Sequence, residues 1–193
     1  SAPDRGVNAV EYAVRYVNRL LELSEALRAR APRDSRFDPP WTTINTGALV
    51  SGHAHNVIPG KARVDWEMRP VQKSDADFVK EDLHRLCTHS LIPQMQAVFP
   101  EAGIVTEVIG EVDGLEPVTD NEAREILQEL TGANGADLVA FGTEAGIFQG
   151  LGMNVAVCGP GSIEQAHNPD EYVSLDQLSQ CLGLLEGLSA KLV

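Results

Sequence analysis

The sequence predicts an α+β module in residues 1–112, followed by part of an α/β layer in residues 113–193. Before Gly114, hydrophobic periodicity gives the order helix, strand, strand, helix, strand, whereas after it helices alternate with short apolar runs. The elements before Gly114 have the order of a four-stranded α+β sandwich without its first strand. The elements after it supply only two strands, and an α/β sheet of two strands would leave much of both faces uncovered. We therefore expect both modules to be incomplete and the chain to be part of a longer protein.

Two amphipathic helices are predicted in the first module. Apolar residues recur at helical spacing over residues 7–27, and Asp4 is the expected N-cap. A second helix should run from its cap Ser74 to about residue 98, with Asp75 in the first turn favoured by the helix dipole. Because Pro93 falls inside that helix, it should kink or shorten it.

The strands of the first module are predicted from alternation of apolar and polar residues. Residues 41–50 and 57–69 read as a β-hairpin joined by a turn at 51–56. A further strand is expected at residues 104–109, directly after Gly103.

In the second module, two short apolar strands are predicted at residues 138–141 and 153–158. Helices should surround them. One begins at Thr119 or Asp120 and runs to Leu130, and the others cover residues 144–151 and 174–192.

Composition narrows the class of partner. The net charge of −13 argues against nucleic acid or an anionic membrane as a partner, since an acidic surface would release no counterions from either of them. A cationic small molecule is a better match for this charge. No apolar run approaches the roughly 18 residues of a membrane span, and no signal-peptide pattern opens the chain, so we expect a cytoplasmic location. The three cysteines, Cys87, Cys158 and Cys181, form no C-x-x-C pair and are expected to be buried thiols.

One loop carries the strongest chemical signal. Residues 158–173 place His167 among backbone N–H groups and carboxylates, shortly before the last helix. A neutral imidazole is a good ligand for zinc or cobalt, but a metal site needs about three or four protein ligands. The alternative for His167 is a hydrogen-bonded loop histidine.

Several motifs in a fixed order resemble a known family. They are WTTINTGALVSGHAHNVIPG at residues 41–60, DWEMRP at 65–70, FGTEAG at 141–146 and GPGSIEQAHNPDEYV at 159–173. Together they are similar to the acetylornithine deacetylase branch of the M20 metallopeptidases, whose relatives include desuccinylases, aminoacylases and carboxypeptidases. The resemblance covers essentially the whole chain.

The resemblance implies a two-domain hydrolase that cleaves the amide bond of an N-acyl amino acid, with N-acetylornithine of arginine biosynthesis as the expected substrate. It implies a ferredoxin-like α+β lid, which makes a homodimer, followed by the C-terminal part of a Zn-peptidase-like α/β catalytic domain. The resemblance also implies two bound divalent metal ions, Zn²⁺ or Co²⁺, and His167 matches the last of their protein ligands. Asp170 or Glu171 is a candidate to orient the His167 ring. The other ligands and the general base belong to a part of the family pattern that this sequence does not contain. Ser1 resembles a residue just after a lid histidine that serves the partner subunit.

Five further residues are candidates for substrate binding. In the lid, Arg69 offers a planar fork to an α-carboxylate, with a surface pair to Asp65 or Glu67 as its alternative. Asn56 lies at the hairpin tip, where a turn-forming role is the alternative.

In the second module, Glu144 follows a predicted strand and is suited to a cationic amine, unless it only stabilises a helix N-terminus. Gly161 and Ser162 belong to a glycine loop that brings backbone N–H groups close to a substrate oxygen.

Other readings compete with the hydrolase. His53 and His55 alternate as a metal pair would, but no suitable carboxylate or cysteine accompanies them, which favours a solvated loop. The chain as it stands is alternatively a non-catalytic dimerisation module. A serine hydrolase using Ser162 is disfavoured because no Gly-x-Ser-x-Gly elbow is present.

Overall fold

A computed structural model describes residues 3–138, 142–166 and 168–192, and Ser1, His167 and part of the predicted strand at 138–141 lie outside these ranges. The chain divides into two units, Ser1–Gly110 and Glu111–Val193. Within the described ranges, no helix combines the length and the apolar character needed to cross a bilayer.

Helix α1 of the first unit spans Ala9–Ala29, after a short 3-10 turn at Pro3–Arg5. Its N-cap is Asn8, whose Oδ1 accepts a hydrogen bond from the Val10 N–H at 3.1 Å. The prediction of Asp4 as the cap is therefore wrong, because Asp4 lies in the preceding 3-10 turn. An extended residue with a short amide side chain satisfies an unpaired N–H of the first helical turn equally well.

Strands β1 (Thr43–Ser51) and β2 (Ala62–Arg69) form the predicted antiparallel hairpin, with Thr43 opposite Arg69 and Ser51 opposite Ala62. The register shifts at Gly47, which adds one residue to β1 as a β-bulge. The second strand starts at Ala62 rather than at residue 57, since residues 52–61 form the connection.

Helix α2 covers Lys73–Leu86 and continues through a π turn at Cys87–Leu91 into α3, Ile92–Gln96. The predicted interruption near Pro93 is confirmed. Proline has no N–H for the α-helical ladder, and directly before it the Ile92 N–H donates to the Cys87 carbonyl, five residues back. The predicted cap Ser74 is wrong, because the N-cap position belongs to Gln72.

The core of the first unit lies between the helices and one face of the hairpin. Leucines of α1 meet apolar residues of α2, and half-buried side chains of the hairpin and both helices surround them. The buried set is Leu20, Leu23, Leu27, Val79 and Leu83, and the surrounding set is Tyr16, Ile44, Val64, Trp66, Met68 and Phe78. The alternation predicted for residues 57–69 is confirmed for Val64, Trp66 and Met68, which pack on the core, but not for Ile58 and Ala62, which are exposed.

The strand predicted at residues 104–109 is not formed. Val105 and Ile109 are 92% and 91% exposed, and this segment has no regular structure. A strand exists through hydrogen bonds to a neighbouring strand, and within the described part of the chain β1 and β2 pair only with each other. The described sheet therefore has two strands instead of the three expected here from a ferredoxin-like lid that lacks its first strand.

The second unit consists of three α-helices and a 3-10 turn among its described residues: α4 (Glu122–Thr131), α5 (Ala145–Gly150), the turn Ile163–Gln165, and α6 (Leu175–Lys191). Ser174 caps α6, where that helix was predicted to begin. The cap of α4 is Asn121, so the prediction of Thr119 or Asp120 misses by one or two positions. Lys191 of α6 pairs with Glu129 of α4 at 2.7 Å.

The α/β layer expected in this unit is not seen in the described residues. Residues 153–158 form no strand, and Leu138 is not in one either. The Val155 carbonyl accepts a hydrogen bond from the Asn121 side chain at 2.8 Å instead of one from a neighbouring strand. The expectation of buried thiols holds for Cys87, but Cys158 in this segment is exposed and Cys181 is intermediate.

Candidate functional site

The loop that leads to His167 is held by short-range hydrogen bonds. Ser162 Oγ accepts from the Glu164 N–H at 3.4 Å and so begins the 3-10 turn Ile163–Gln165. On the far side of His167, Asn168 Nδ2 donates to the Glu164 carbonyl at 2.9 Å. The loop is therefore a bonded turn on both sides of the predicted metal ligand, although His167 itself lies outside the described residues.

The same loop is tied to the last helix. Gln177, in the first turn of α6, donates from its side-chain Nε2 to the Gly161 carbonyl at 3.2 Å. Gly161 has φ +110, a backbone conformation in which any side chain would be strained. Gly161 and Ser162, both predicted from sequence, thus share one hydrogen-bonded arrangement with Gln177, which sequence reasoning did not single out. A signal existed, since Ser174 and Gln177 have the spacing of a capping box.

Glu144 occupies the N-cap position of α5, is exposed, and makes no capping hydrogen bond through its side chain. The Ala145 N–H is satisfied by Thr143 Oγ1 at 3.1 Å. Among the described residues, no hydrogen bond or ion pair connects the Glu144 carboxylate to Gly161 or Ser162. The Glu144 carboxylate is exposed to water. Its contact with a cationic amine of the substrate stays a prediction.

Arg69 lies at the end of β2 and is exposed, and its guanidinium is 3.4 Å from the Glu67 carboxylate. This is the surface pair weighed as its alternative, while Asp65 pairs with Arg63 at 3.1 Å. Exposed ion pairs of this kind contribute little, typically about 0–1 kcal/mol.

Asn56 is exposed in the connection between β1 and β2. The Val57 N–H donates to the Ala54 carbonyl at 3.4 Å, which makes Asn56 the third residue of a tight turn. His53 and His55 are exposed in the same connection, as expected for a solvated loop. The turn geometry agrees with the local alternative for Asn56, and its contact with substrate stays a prediction.

Divalent metal ligands are not assembled in the part of the chain that the structure describes. No group of three or more His, Cys, Asp and Glu side chains there could hold a metal ion. Asp170 and Glu171, the candidates to orient His167, are both exposed. The described donors therefore do not make a metal site by themselves.

Buried polar groups in the first unit were missed by the sequence reading. Asp82 accepts from Arg19 at 2.6 and 2.8 Å and from Arg85 at 2.9 Å, and the hydrogen bonds from Arg19 hold the pKa of this carboxyl below its ordinary value. Burial raises the pKa of Tyr16 to about 12. Only the spacing of Asp82 and Arg85, three residues apart on one helix, was readable from sequence.

The position predicted for Asp75, in the first turn of α2, is confirmed. The sequence did not indicate that this residue is completely buried. Its carboxylate accepts from Thr42 Oγ1 at 2.7 Å, from Arg30 Nε at 2.9 Å and from Gln72 Nε2 at 3.1 Å. It joins α1, α2 and the segment before β1, and its role is structural.

Comparison with known proteins identifies the first unit. Residues 1–94 match the model of the M20 peptidase dimerisation domain. This segment belongs to the M20 peptidase dimerisation domain family. In this domain of the chain, Asn56 and Arg69 are the two predicted substrate contacts, and both lie within the matched residues.

The whole chain is similar to curated relatives named acetylornithine deacetylase. It is 36% identical over 183 residues to the one from Myxococcus xanthus, covering 95% of this chain and 46% of the relative. It is 34% identical over 173 residues to the one from Klebsiella pneumoniae, covering 90% and 43% respectively. A third, from Photorhabdus laumondii, is 31% identical over 175 residues, covering 91% and 43%. The chain thus spans a little under half the length of these relatives.

Proposed function

We propose that this chain is part of a metal-dependent amidohydrolase that cleaves N-acetylornithine to ornithine and acetate in arginine biosynthesis in the cytoplasm. The observation that carries the proposal is the extent of the similarity. The match to an acetylornithine deacetylase covers 95% of the chain, far beyond the dimerisation domain at residues 1–94. Both the domain with Arg69 and the unit with the His167 loop therefore have counterparts in enzymes of that name.

The charge of the second unit supports a cationic substrate. Residues 111–193 contain 14 Asp and Glu but only two Lys and Arg, so they carry nearly all of the net charge of −13. A surface of one sign raises the local concentration of ligands of the opposite sign. The δ-amine of N-acetylornithine is cationic at neutral pH, and Glu144 is the carboxylate we assign to it.

The remaining roles follow from the chemistry of each group. Arg69 is assigned to the substrate α-carboxylate, which its fork can bind through two parallel hydrogen bonds. The backbone at Gly161 and Ser162 is assigned to a substrate oxygen, and Asn56 to a contact from the hairpin tip. His167 is assigned as one ligand of the metal, zinc or cobalt, with the other ligands and the general base supplied by polypeptide outside this sequence.

The direct test is turnover by the complete enzyme, meaning this chain together with the polypeptide that completes its catalytic domain. With zinc or cobalt present, we expect release of acetate from N-acetylornithine. His167→Ala should abolish turnover, whereas the matched control His55→Ala, in an exposed loop, should retain it. Turnover of N-succinyl-diaminopimelate or an N-carbamoyl substrate, without turnover of N-acetylornithine, would reassign the substrate.

A second candidate function, a non-catalytic dimerisation module, is favoured by the family match at residues 1–94. Pairing of two lids, edge to edge or helix to helix, would then be the activity of the chain alone. Sedimentation and a zinc titration of the complete enzyme separate the two candidates. A complete protein that dimerises but binds no stoichiometric zinc supports the module, whereas stoichiometric zinc binding supports a catalytic enzyme.

A further inference from the structure

Gln177 has the sequence position of a capping-box residue but is used for a longer connection. In a capping box, the Ser or Thr N-cap accepts from the N–H three residues on, and the Glu or Gln there reaches back to the cap. Ser174 Oγ does accept from the Gln177 N–H at 3.2 Å. The Gln177 side-chain nitrogen, however, donates to the Gly161 carbonyl, sixteen positions earlier in the chain.

This hydrogen bond fixes more than one atom of the loop. The Gly161 carbonyl and the Ser162 N–H belong to the same planar peptide unit and point in opposite directions. Holding the carbonyl against Gln177 therefore fixes the direction in which the Ser162 N–H points. The φ of +110 at Gly161 makes this orientation unusual, since only glycine adopts it without strain.

The Gln177 side chain is itself held in place. Its Oε1 lies 3.4 Å from Ser174 Oγ, and the residue is half-buried at the start of a 17-residue helix. Ser162 Oγ is used within the loop, where it accepts from the Glu164 N–H. The orientation of the 161–162 peptide is thus set by a rigid helix on one side and by the 3-10 turn on the other.

We propose that Gln177 is a positioning residue, which orients the 161–162 peptide so that the Ser162 N–H donates to an oxygen of the substrate. The inference rests on the proposed function, in which Gly161 and Ser162 bind substrate. A preorganised backbone donor loses less freedom on binding than a mobile one, and small misplacements of such a donor are costly. Gln177 touches no reacting atom in this arrangement and acts through Gly161.

Two substitutions in the complete enzyme separate positioning from helix capping. Gln177→Met removes the donor at similar length. Gln177→Glu keeps a residue that capping boxes favour but places a carboxylate oxygen against the Gly161 carbonyl. The matched control is Gln180→Met, on an exposed position of the same helix. We expect both Gln177 variants to lower kcat/KM for N-acetylornithine about tenfold, and Gln180→Met to leave it unchanged.

The division between KM and kcat identifies the substrate oxygen. A rise in KM alone indicates a donor to the carboxylate of bound substrate, and a fall in kcat indicates a donor to the oxyanion formed during the reaction. Unchanged kinetics in Gln177→Glu and Gln177→Met would overturn the proposal. A lower Tm with unchanged kinetics would leave Gln177 with a capping role only and would overturn it as well.

Hydrogen exchange over residues 159–166 gives a readout that does not depend on turnover. We expect faster exchange in Gln177→Met than in Gln180→Met, because the peptide loses its tie to α6. If the wild-type complete enzyme hydrolyses no N-acyl amino acid, the proposed function fails, and the substrate role of Gln177 fails with it. If the wild type is active while exchange and kinetics are unaffected by the Gln177 substitutions, only the inference about Gln177 fails.

Discussion

Replacement of Asp75 should destabilise the first unit far more than replacement of its neighbour Asp77. Asp75 lies in the first turn of α2 and Asp77 in the next one, and a charge in the first turn contributes only about 0.3–1 kcal/mol through the helix dipole. They differ in burial, since Asp75 is completely buried whereas Asp77 is exposed. Asp75→Ala with Asp77→Ala as its control therefore isolates the buried hydrogen bonds.

The size of the effect follows from the partners left behind. The Arg30 side chain is 38% exposed, so it can be hydrated after the substitution and its ion pair contributes little. Thr42 is completely buried, and its hydroxyl would lose the acceptor at 2.7 Å, which costs about 1–3 kcal/mol. With the cavity left by the carboxylate, we expect Asp75→Ala to cost about 2–4 kcal/mol. Asp77→Ala should cost less than about 0.5 kcal/mol.

Urea unfolding followed by tryptophan fluorescence measures this difference in the first unit alone. The two tryptophans of the chain, Trp41 and Trp66, both lie in that unit, and Trp66 packs on its core. The free energy of unfolding of Asp75→Asn should fall between those of the two alanine variants. The amide oxygen can still accept a hydrogen bond from one donor, but the amide nitrogen would lie against a second donor. Equal free energies of unfolding for Asp75→Ala and Asp77→Ala would refute the role assigned to this carboxylate.

Three further substitutions test other parts of the structure. In the folded protein the pKa of Asp82 lies below its ordinary value of 3.8. Its contribution to stability is therefore complete above about pH 4 and is lost as the pH falls through the folded pKa. Asp82→Asn should flatten the acid side of a plot of unfolding free energy against pH, and an unchanged slope would contradict this. Leu20→Ala, at 0% exposure, should cost about 2–5 kcal/mol in urea unfolding, whereas the adjacent Leu21→Ala, at 60%, should cost well under 1 kcal/mol. A methyl group at Gly146 would collide with the Asp113 carbonyl, while one at Gly150 meets nothing within 4 Å. Gly146→Ala should thus lower the melting temperature measured by circular dichroism. An equal drop in melting temperature for the control Gly150→Ala would disprove the close approach of Gly146 to the Asp113 carbonyl.

The elements that were predictable are those set by local pattern. The leucine spacing of α1, the alternation of Val64, Trp66 and Met68, and the interruption at Pro93 are local, and the structure contains each of them. The predictions of strands at 104–109 and 153–158 were wrong because a strand needs a hydrogen-bonded partner strand, which a local pattern does not reveal. The caps Asn8, Gln72 and Asn121 were missed because several polar residues compete within a few positions.

In the candidate site, too, local contacts were predictable from sequence and long-range contacts were not. The pair between Arg69 and Glu67 was foreseen as an alternative because the two residues are neighbours on one face of a strand. The connection from Gln177 to Gly161 was not foreseen, because it depends on how a loop folds back on a helix. The burial of Asp75 was not foreseen because it depends on Thr42 and Arg30, which are distant in sequence.

The metal content of the complete enzyme tests most directly whether His167 is a ligand in a metal-dependent hydrolase. Zinc per subunit should be measured by elemental analysis after dialysis, in the wild type, in His167→Ala and in the loop control His55→Ala. We expect two zinc ions per subunit in the wild type and in His55→Ala, and loss of at least one in His167→Ala. Equal zinc in all three proteins, or none in the wild type, would contradict the assignment.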